Sequence, residues 1–275
     1  TKGMLLENAT IGQKLSTDVS ASSSDIRLVG NAITANGSSS VDTSGTVTIE
    51  PFNVDFTATA DLSSLTIVNS NAVTVGKTAT SADGTNDADV SLGSINSAGP
   101  ITVYGGNITV NQNLTSTANG ADILLKGSGN IIQSNGASIT TNGGSVVMWS
   151  KSNGGPGYVE ILEDITTGGG HLYVGGGNTS ETVGSLTVPG GFAESVSSSN
   201  SGVLVSGATI DTGGGNLRMR GETTATNDSA AVGLRVTGST INTYAGTLEL
   251  DGDLSGSYNS GSSASSSALE IHNNT

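Results

Sequence analysis

The stretch Val205–Gly221, VSGATIDTGGGNLRMRG, returns 31 residues later as Val236–Gly252, VTGSTINTYAGTLELDG. Eight of the seventeen positions are identical. Most of the others keep size or polarity, as in Ser206/Thr237, Ala208/Ser239, Asp211/Asn242 and Met219/Leu250. The copies therefore share an alternation of apolar and small polar residues around fixed glycines. A repeated unit of this size cannot bury its apolar face alone and does so by stacking on the next copy. Upstream, Ile139–Met148 (ITTNGGSVVM) and Ile165–Val174 (ITTGGGHLYV) reproduce its second half. Leu6–Ile11 (LENATI) and Leu28–Ile33 (LVGNAI) match its first half, a five-residue step between apolar positions with a small polar bend between them.

One unit reads as three short strands separated by Gly, Asn or Ser: A over Val203–Val205, B over Thr209–Thr212 and C over Asn216–Arg220. A strands are expected to open near Met4, Ile26, Val90, Ile108, Ile131, Val159, Val203, Leu234 and Leu269. The steps between them suit one turn of a β-solenoid. In strand C, Leu172, Leu217 and Leu248 point inward with Val174, Met219 and Leu250, because successive side chains alternate across a strand. Gly144, Gly170, Gly215 and Gly246 form a column at the corner, where a Cβ would clash or φ must be positive. Helix is not expected. Apolar residues recur at i and i+2, β-branched residues dominate, and Gly interrupts every helical run; Met4–Leu15, the best helical stretch, fits the solenoid bend better.

Residues 1–275 thus read as a single solenoid segment, irregular or looped near 54–89, 178–201 and 255–267. In the first of these, Leu65–Val68 and Ala72–Val75 still alternate as strands. In the second, Ser185–Val188, Pro189–Gly191 and the polar run Ser195–Ser201 suggest an extra short turn or a protruding loop. Because the chain opens in mid-pattern and stops at Leu269–Ile271 as a new unit begins, it reads as a fragment, with any targeting signal upstream.

Composition agrees with a thin tube. The 275 residues include 41 Gly, and only 3% are aromatic. A globule of this length normally holds more large side chains. Regularly placed Ile, Val and Leu exclude a disordered chain. There is no cysteine, hence neither a disulfide nor a thiolate metal site. A formal charge of −14 with nine scattered Lys and Arg argues against nucleic acid and anionic membrane as partners. No stretch approaches the roughly 20 apolar residues of a membrane-spanning helix.

Ala98–Asn111 (AGPITVYGGNITVN), Ile139–Trp149 and the Thr-x-x-Gly corners resemble the repeat regions of large bacterial secreted exoproteins of the filamentous haemagglutinin-like type. The resemblance runs from about Ile26 onward. It implies an all-β fold, a right-handed parallel β-helix with three short strands per coil, forming the shaft of a secreted or cell-surface adhesin. It also implies a glycan or surface receptor as partner. The amino-terminal secretion domain of that family is not recognisable here. Self-association end to end is a further reading, since flat coils can pair.

Chemistry-bearing residues are sparse. Pectinase-like hydrolases need clustered carboxylates with a Gly-His-Gly and a basic pair; Gly170-His171-Leu172 lacks the second glycine, and no Arg-x-Lys occurs. A carbohydrate-degrading or carbohydrate-binding β-helix is the competing class, but no catalytic, cofactor or metal residue is assigned. Three acidic groups stand out: Asp83 with Asp87 and Asp89, Glu160 with Glu163 and Asp164, and Asp251 with Asp253. The first offers three carboxylates in seven residues and is read as a solvated loop, with calcium binding as the alternative, because the Asp-x-Asp-x-Asp-Gly and Gly-Gly-x-Gly-x-Asp patterns are missing. Asp251 and Asp253 are placed in strand C and the following turn. His171 aligns with Ser145, Asn216 and Thr247 at an outward polar position, and His272 lies in the last partial coil; two unpaired histidines make a poor zinc site. Trp149 and Tyr173 also fall outward, either packed under a loop or exposed to stack on sugar rings. The Asn-x-Ser/Thr triplets at Asn8, Asn36, Asn107, Asn113, Asn178 and Asn227 are read as surface polar ladders.

Register alone gives the sharpest expectation. If the two copies are adjacent coils, Leu217 and Met219 stack on Leu248 and Leu250. Arg218 then lies beside Glu249 and Arg220 beside Asp251, two opposite-charge pairs in one parallel ladder.

Overall fold

The computed structural model describes residues 4–6, 19–21, 23–77, 88–197, 199–225, 231–255 and 266–272. Among these residues the fold is all-β, with two long sheets of short strands and no helix. Every pairing between strands is parallel except one hairpin, so each strand's neighbour comes from the preceding or following turn of the chain. This is the arrangement of a β-solenoid.

The C strands build the 12-stranded sheet. It runs from Met4–Leu6 through Ile26–Val29, Thr46–Glu50, Ala72–Val75, Ile101–Gly105, Ile123–Gly127, Val146–Ser150, Leu172–Val183 and Leu217–Thr223, with Leu248–Leu254 pairing on the last of these. The 15-stranded sheet holds A and B strands together, because Val90–Ser97 forks. Its residues Val90, Ser91 and Leu92 pair with Ile108–Val110, and Ile95, Asn96 and Ser97 pair with the start of Leu114–Asn119. Beyond the fork the A column continues through Ile131–Gln133, Val159–Ile161, Ser201–Ser206, Val232–Thr237 and Ser267–His272. The B column continues through Ile139–Asn142, Ile165–Thr166, Thr209–Asp211 and Thr240–Asn242. Before the fork a single strand, Ala60–Ser70, pairs along both halves of Val90–Ser97. The expected strands Leu65–Val68 and Ala72–Val75 are both present, the first inside this longer one.

Two openers were misplaced. Met4 and Ile26 belong to the C sheet, with Ile26 paired to Val47, so Leu28–Ile33 leads out of a C strand rather than out of an A strand. Both segments share the apolar alternation of A strands, and alternation alone does not say which column a strand joins. Of Leu6–Ile11 and Met4–Leu15, everything after Leu6 lies outside the described residues.

The 31-residue register holds throughout the repeat. Val205 pairs with Val236, Ile210 with Ile241, Leu217 with Leu248, Arg218 with Glu249, Met219 with Leu250 and Arg220 with Asp251. Two positions further, Glu222 stands beside Asp253, a like-charge neighbour outside the compared stretch. Inward side chains stack like on like, and Ile101, Ile123, Val146, Leu172 and Leu217 are all buried. Leu248 points the same way but is 47% exposed, because its strand has only one neighbour among the described residues.

The corners are held by a buried threonine ladder. The Thr141 Oγ1 hydroxyl donates to Gly144 O (2.5 Å) and to Thr167 O of the next turn (3.1 Å). Thr167 repeats this with Gly170 O and Thr212 O, and Thr212 with Gly215 O and Asn242 O. Each Thr-x-x-Gly corner thus closes on itself and on the following coil. The glycine is required by approach rather than by φ: a Cβ on Gly215 would lie 1.8 Å from Gly170 O, and one on Gly170 would lie 1.9 Å from Gly144 O.

Candidate functional site

From Asp122 to Thr247, the residue entering each C strand is bonded through its backbone N–H to the side chain of its equivalent one coil earlier. Asp122 Oδ1 accepts from Ser145 N (2.6 Å), Ser145 Oγ from His171 N (3.2 Å), His171 Nδ1 from Asn216 N (2.9 Å) and Asn216 Oδ1 from Thr247 N (2.9 Å). A second such ladder enters the A strands, through Asp89, Asn107, Asn130 and Tyr158. His171 is therefore a rung of the scaffold, and Asn107 is a rung as expected. Asn113 accepts from Ser138 N at the head of a B strand.

The outward face of the C sheet is not bare. Leu172–Val183 runs past the edge of the sheet and turns back as Leu186–Gly191, its antiparallel partner, with Thr182 opposite Thr187. The interval at 178–201 is largely this hairpin. Val188 from it packs on Val147, Trp149 and Tyr173, with Leu124, Val183 and Leu186 around them, making a second small core outside the tube. Trp149 is 4% exposed and Tyr173 3%, so neither ring offers a free face, and of the two readings of these outward aromatics the packed one holds. The indole N–H of Trp149 donates to Gly177 O (2.7 Å), which satisfies the one polar atom that burial would strand. Lys126 lies over the indole at 4.0 Å, and burial pulls its ammonium below the usual lysine range.

Two arginines latch the hairpin. Arg218 donates to Glu181 Oε2 (2.7 Å) and Pro189 O (2.9 Å), with its guanidinium 5.3 Å from the Tyr173 ring centre. Arg220 donates to Glu181 Oε1 (3.0 Å), Gly190 O (3.2 Å) and Glu249 Oε1 (3.1 Å), and lies 3.8 Å from Asp251. The register placed Arg218 beside Glu249, and the strands do pair so. The Arg218 side chain nevertheless turns to Glu181, whose two carboxylate oxygens bridge Arg218 and Arg220, and the Pro189 carbonyl beside it accepts from a second Arg218 nitrogen. The hydrogen bond from Arg218, with Arg220 adding to it, holds the Glu181 carboxyl below the usual range.

A comparable tie lies around the corner. Lys151 contacts Glu194 and reaches Glu222 at 2.8 Å, binding the turn after Val146–Ser150 to Ala193–Ser195 and Leu217–Thr223. Burial works against the Lys151 charge, but the hydrogen bonds it donates to both carboxylates, with their negative charge, outweigh it and raise its pKa. This ammonium is what permits Glu194 and Glu222 to stand side by side in one ladder.

Below the latch, Tyr173, Val183, Asn216, Leu217, Arg218, Thr247 and Glu249 line a cleft of about 200 Å³. Sequence reasoning missed both Glu181 and the cleft. The available signal was scarcity: a chain with nine basic residues and two of them in one strand must neutralise them somewhere, and Glu181 sits in one of the three intervals the repeat did not explain.

The acidic groups do not converge. Asp83 and Asp87 lie outside the described residues, and Asp89 serves the Asn107 rung. Glu163 accepts from Gly136 N, Asp164 accepts from Thr209 N, and burial raises the carboxyl of Glu160. Asp253 lies within the strand with Asp251, not in a turn. His272 lies 2.9 Å from Glu270, far along the chain from His171. Among the described residues no three His, Asp or Glu side chains are placed to share a metal ion. Asn8 and Asn227 lie outside the described residues. No protein-family model, curated protein or solved structure matches this chain.

Proposed function

We propose that this chain is a shaft: a right-handed parallel β-helix with three short strands per coil, forming part of a large secreted or cell-surface bacterial protein of the filamentous haemagglutinin-like type. Its work is to space and carry adhesive surfaces rather than to catalyse a reaction, and its partner is a glycan or a surface receptor. The observation that carries this reading is the like-on-like stacking of buried aliphatic side chains through both sheets, coil after coil, which gives a stiff object extended along one axis. The strong bias of parallel crossovers towards one hand supports the right-handed sense. Corner threonines and strand-entry rungs further tie each coil to the next.

The test is direct. Small-angle scattering of the purified chain should give a rod of constant cross-section, and a surface-adhesion assay should show retention without turnover of polysaccharide. Release of reducing ends or unsaturated uronides from acidic polysaccharides would overturn the reading in favour of a carbohydrate-degrading β-helix.

A further inference from the structure

We propose that two faces of the shaft are complementary and join copies of this chain side by side, Lys126 of one copy against Glu160 of its neighbour. The inference goes beyond the adhesive reading, since it needs the fold and not a receptor. It starts from a remainder in the charge pairing. Among the described residues, every Asp and Glu except Glu160 has a hydrogen bond or an ion pair within the chain. Every Lys and Arg except Lys126 has one as well. One charge of each sign is left over. Both lie in mid-chain, on strands that are paired on either side.

The two side chains point away from the tube. Leu125 on one strand, and Val159 and Ile161 on the other, are fully buried, so Lys126 and Glu160 take the alternate, outward positions. Lys126 stands on the C sheet and Glu160 on the A column of the other sheet, so they do not pair within one chain. Each is half-buried among apolar neighbours. Register places Lys126 between Tyr104 and Trp149, with its ammonium over the indole ring. Glu160 lies between Ile132 and Leu204, and near Tyr158, whose phenol pKa is raised by burial and then by the Glu160 charge. Burial also pulls the Lys126 ammonium below the usual lysine range and pushes the Glu160 carboxyl above the usual glutamate range. Folding has therefore already removed part of the water from both charges without supplying a counter-ion. A contact between copies supplies it, with an apolar surround on each side. Because the contact joins different faces, it is heterologous, and it either closes in a ring or continues as a row of shafts. The formal charge of −14 opposes association at long range, whereas a pair in contact is screened much less by salt.

The experiment is sedimentation velocity of the full chain from about 10 µM to about 1 mM, the range of a weak contact between small patches. The mean sedimentation coefficient should rise with concentration at about 0.15 M salt and stay near the single-chain value at about 0.01 M, where repulsion is unscreened. Lys126→Glu and Glu160→Lys should each weaken association about thirtyfold or more, because like charges then face each other. An equimolar mixture of the two variants should recover it, because an acidic face of one meets a basic face of the other at every contact. Recovery also shows that both variants are folded. If either reversal loses the circular dichroism of the parent chain, Lys126→Met and Glu160→Gln replace them and should each weaken association about tenfold. Three outcomes overturn the proposal: a single-chain species throughout, association that the variants leave unchanged, or folded reversals whose mixture stays apart. None of the three touches the shaft, whose rod form is read from scattering at the dilute limit.

Discussion

Gly215 and Gly207 show how differently one residue type is used within a single coil. Gly207 has φ +69° with open space where a Cβ would go, whereas Gly215 rests on the carbonyl of Gly170. Gly207→Ala should therefore cost only the left-handed backbone term, about 1–2 kcal/mol. Gly215→Ala drives a methyl into the Gly170 backbone oxygen, which accepts the Thr167 hydroxyl, and should cost about 3 kcal/mol or more, since overpacking of this kind has no flexible neighbour to yield. Chemical denaturation of the two variants checks the order, and equal midpoints would show that the column is not a close-approach column. The threonine beside this column makes a second test. Thr167→Val keeps the shape but leaves Gly170 O and Thr212 O without their shared donor. A loss of about 1–3 kcal/mol is expected, and Thr167→Ser should recover most of it.

At the scale of the element, the hairpin is the part of the molecule most exposed to conditions. Its own apolar contact is a small cluster around Trp149 and Tyr173, and its polar hold runs through Glu181 and the carbonyls of Pro189 and Gly190. The folded-state pKa of Glu181 is depressed, so its contribution is fully present above the unfolded glutamate value of about 4.3 and is lost as pH falls through the lower folded value. The groups facing it are Arg218 and Arg220, and Glu249 and Asp251 on the next strand compete for Arg220. Glu181→Gln should loosen the hairpin at neutral pH, by no more than about 1 kcal/mol because the carboxylate is 41% exposed. Trp149 is the only tryptophan, and its emission should shift to the red in the variant at pH 7 and in the parent chain only in acid. An emission maximum that does not differ between the two at pH 7 would show that Glu181 is not the latch. The hairpin also marks where the sequence stops being legible. The A, B and C strands follow from apolar alternation, and their pairing follows from the internal copy, because a stacked coil takes its register from its own repeat. Among the described residues the hairpin is present once and has no copy to be compared with. The outward positions of Trp149 and Tyr173 were readable by parity, but what covers them depends on a strand that leaves the sheet after Gly176, which no local pattern announces. Likewise Val90–Ser97 forks only because the following coils break between A and B, a fact about its neighbours rather than itself. Arg218 was placed correctly as a backbone neighbour of Glu249, while the direction of its side chain depended on Glu181.

For the molecule as a whole, the repeat makes coils exchangeable, and two deletions of equal length separate stacking from latching. Removing residues 205–235 joins Leu204 to Val236 and takes out one 31-residue repeat; removing residues 221–251 joins Arg220 to Gly252 and takes out the same length one phase later. In the first variant Val236 occupies the place of Val205, Ile241 that of Ile210 and Leu248 that of Leu217, so inward apolar side chains are replaced by their own equivalents. The second keeps Leu217–Arg220 in place and loses the coil above it. Both should fold, with the stack shorter by one strand spacing of about 4.8 Å and the β-sheet circular dichroism per residue unchanged. They differ at the hairpin. The first variant brings Glu249 and Asp251 to the positions of Arg218 and Arg220, facing Glu181 with like charge, and the second keeps both arginines there. Trp149 emission should therefore be red-shifted in the 205–235 deletion and remain like that of the parent chain in the 221–251 deletion. If both variants unfold, the coils are not interchangeable and the solenoid reading of the repeat fails. If both fold with a buried Trp149, the second small core holds the hairpin without the arginines, and the latch is an ornament on a shaft that does not need it.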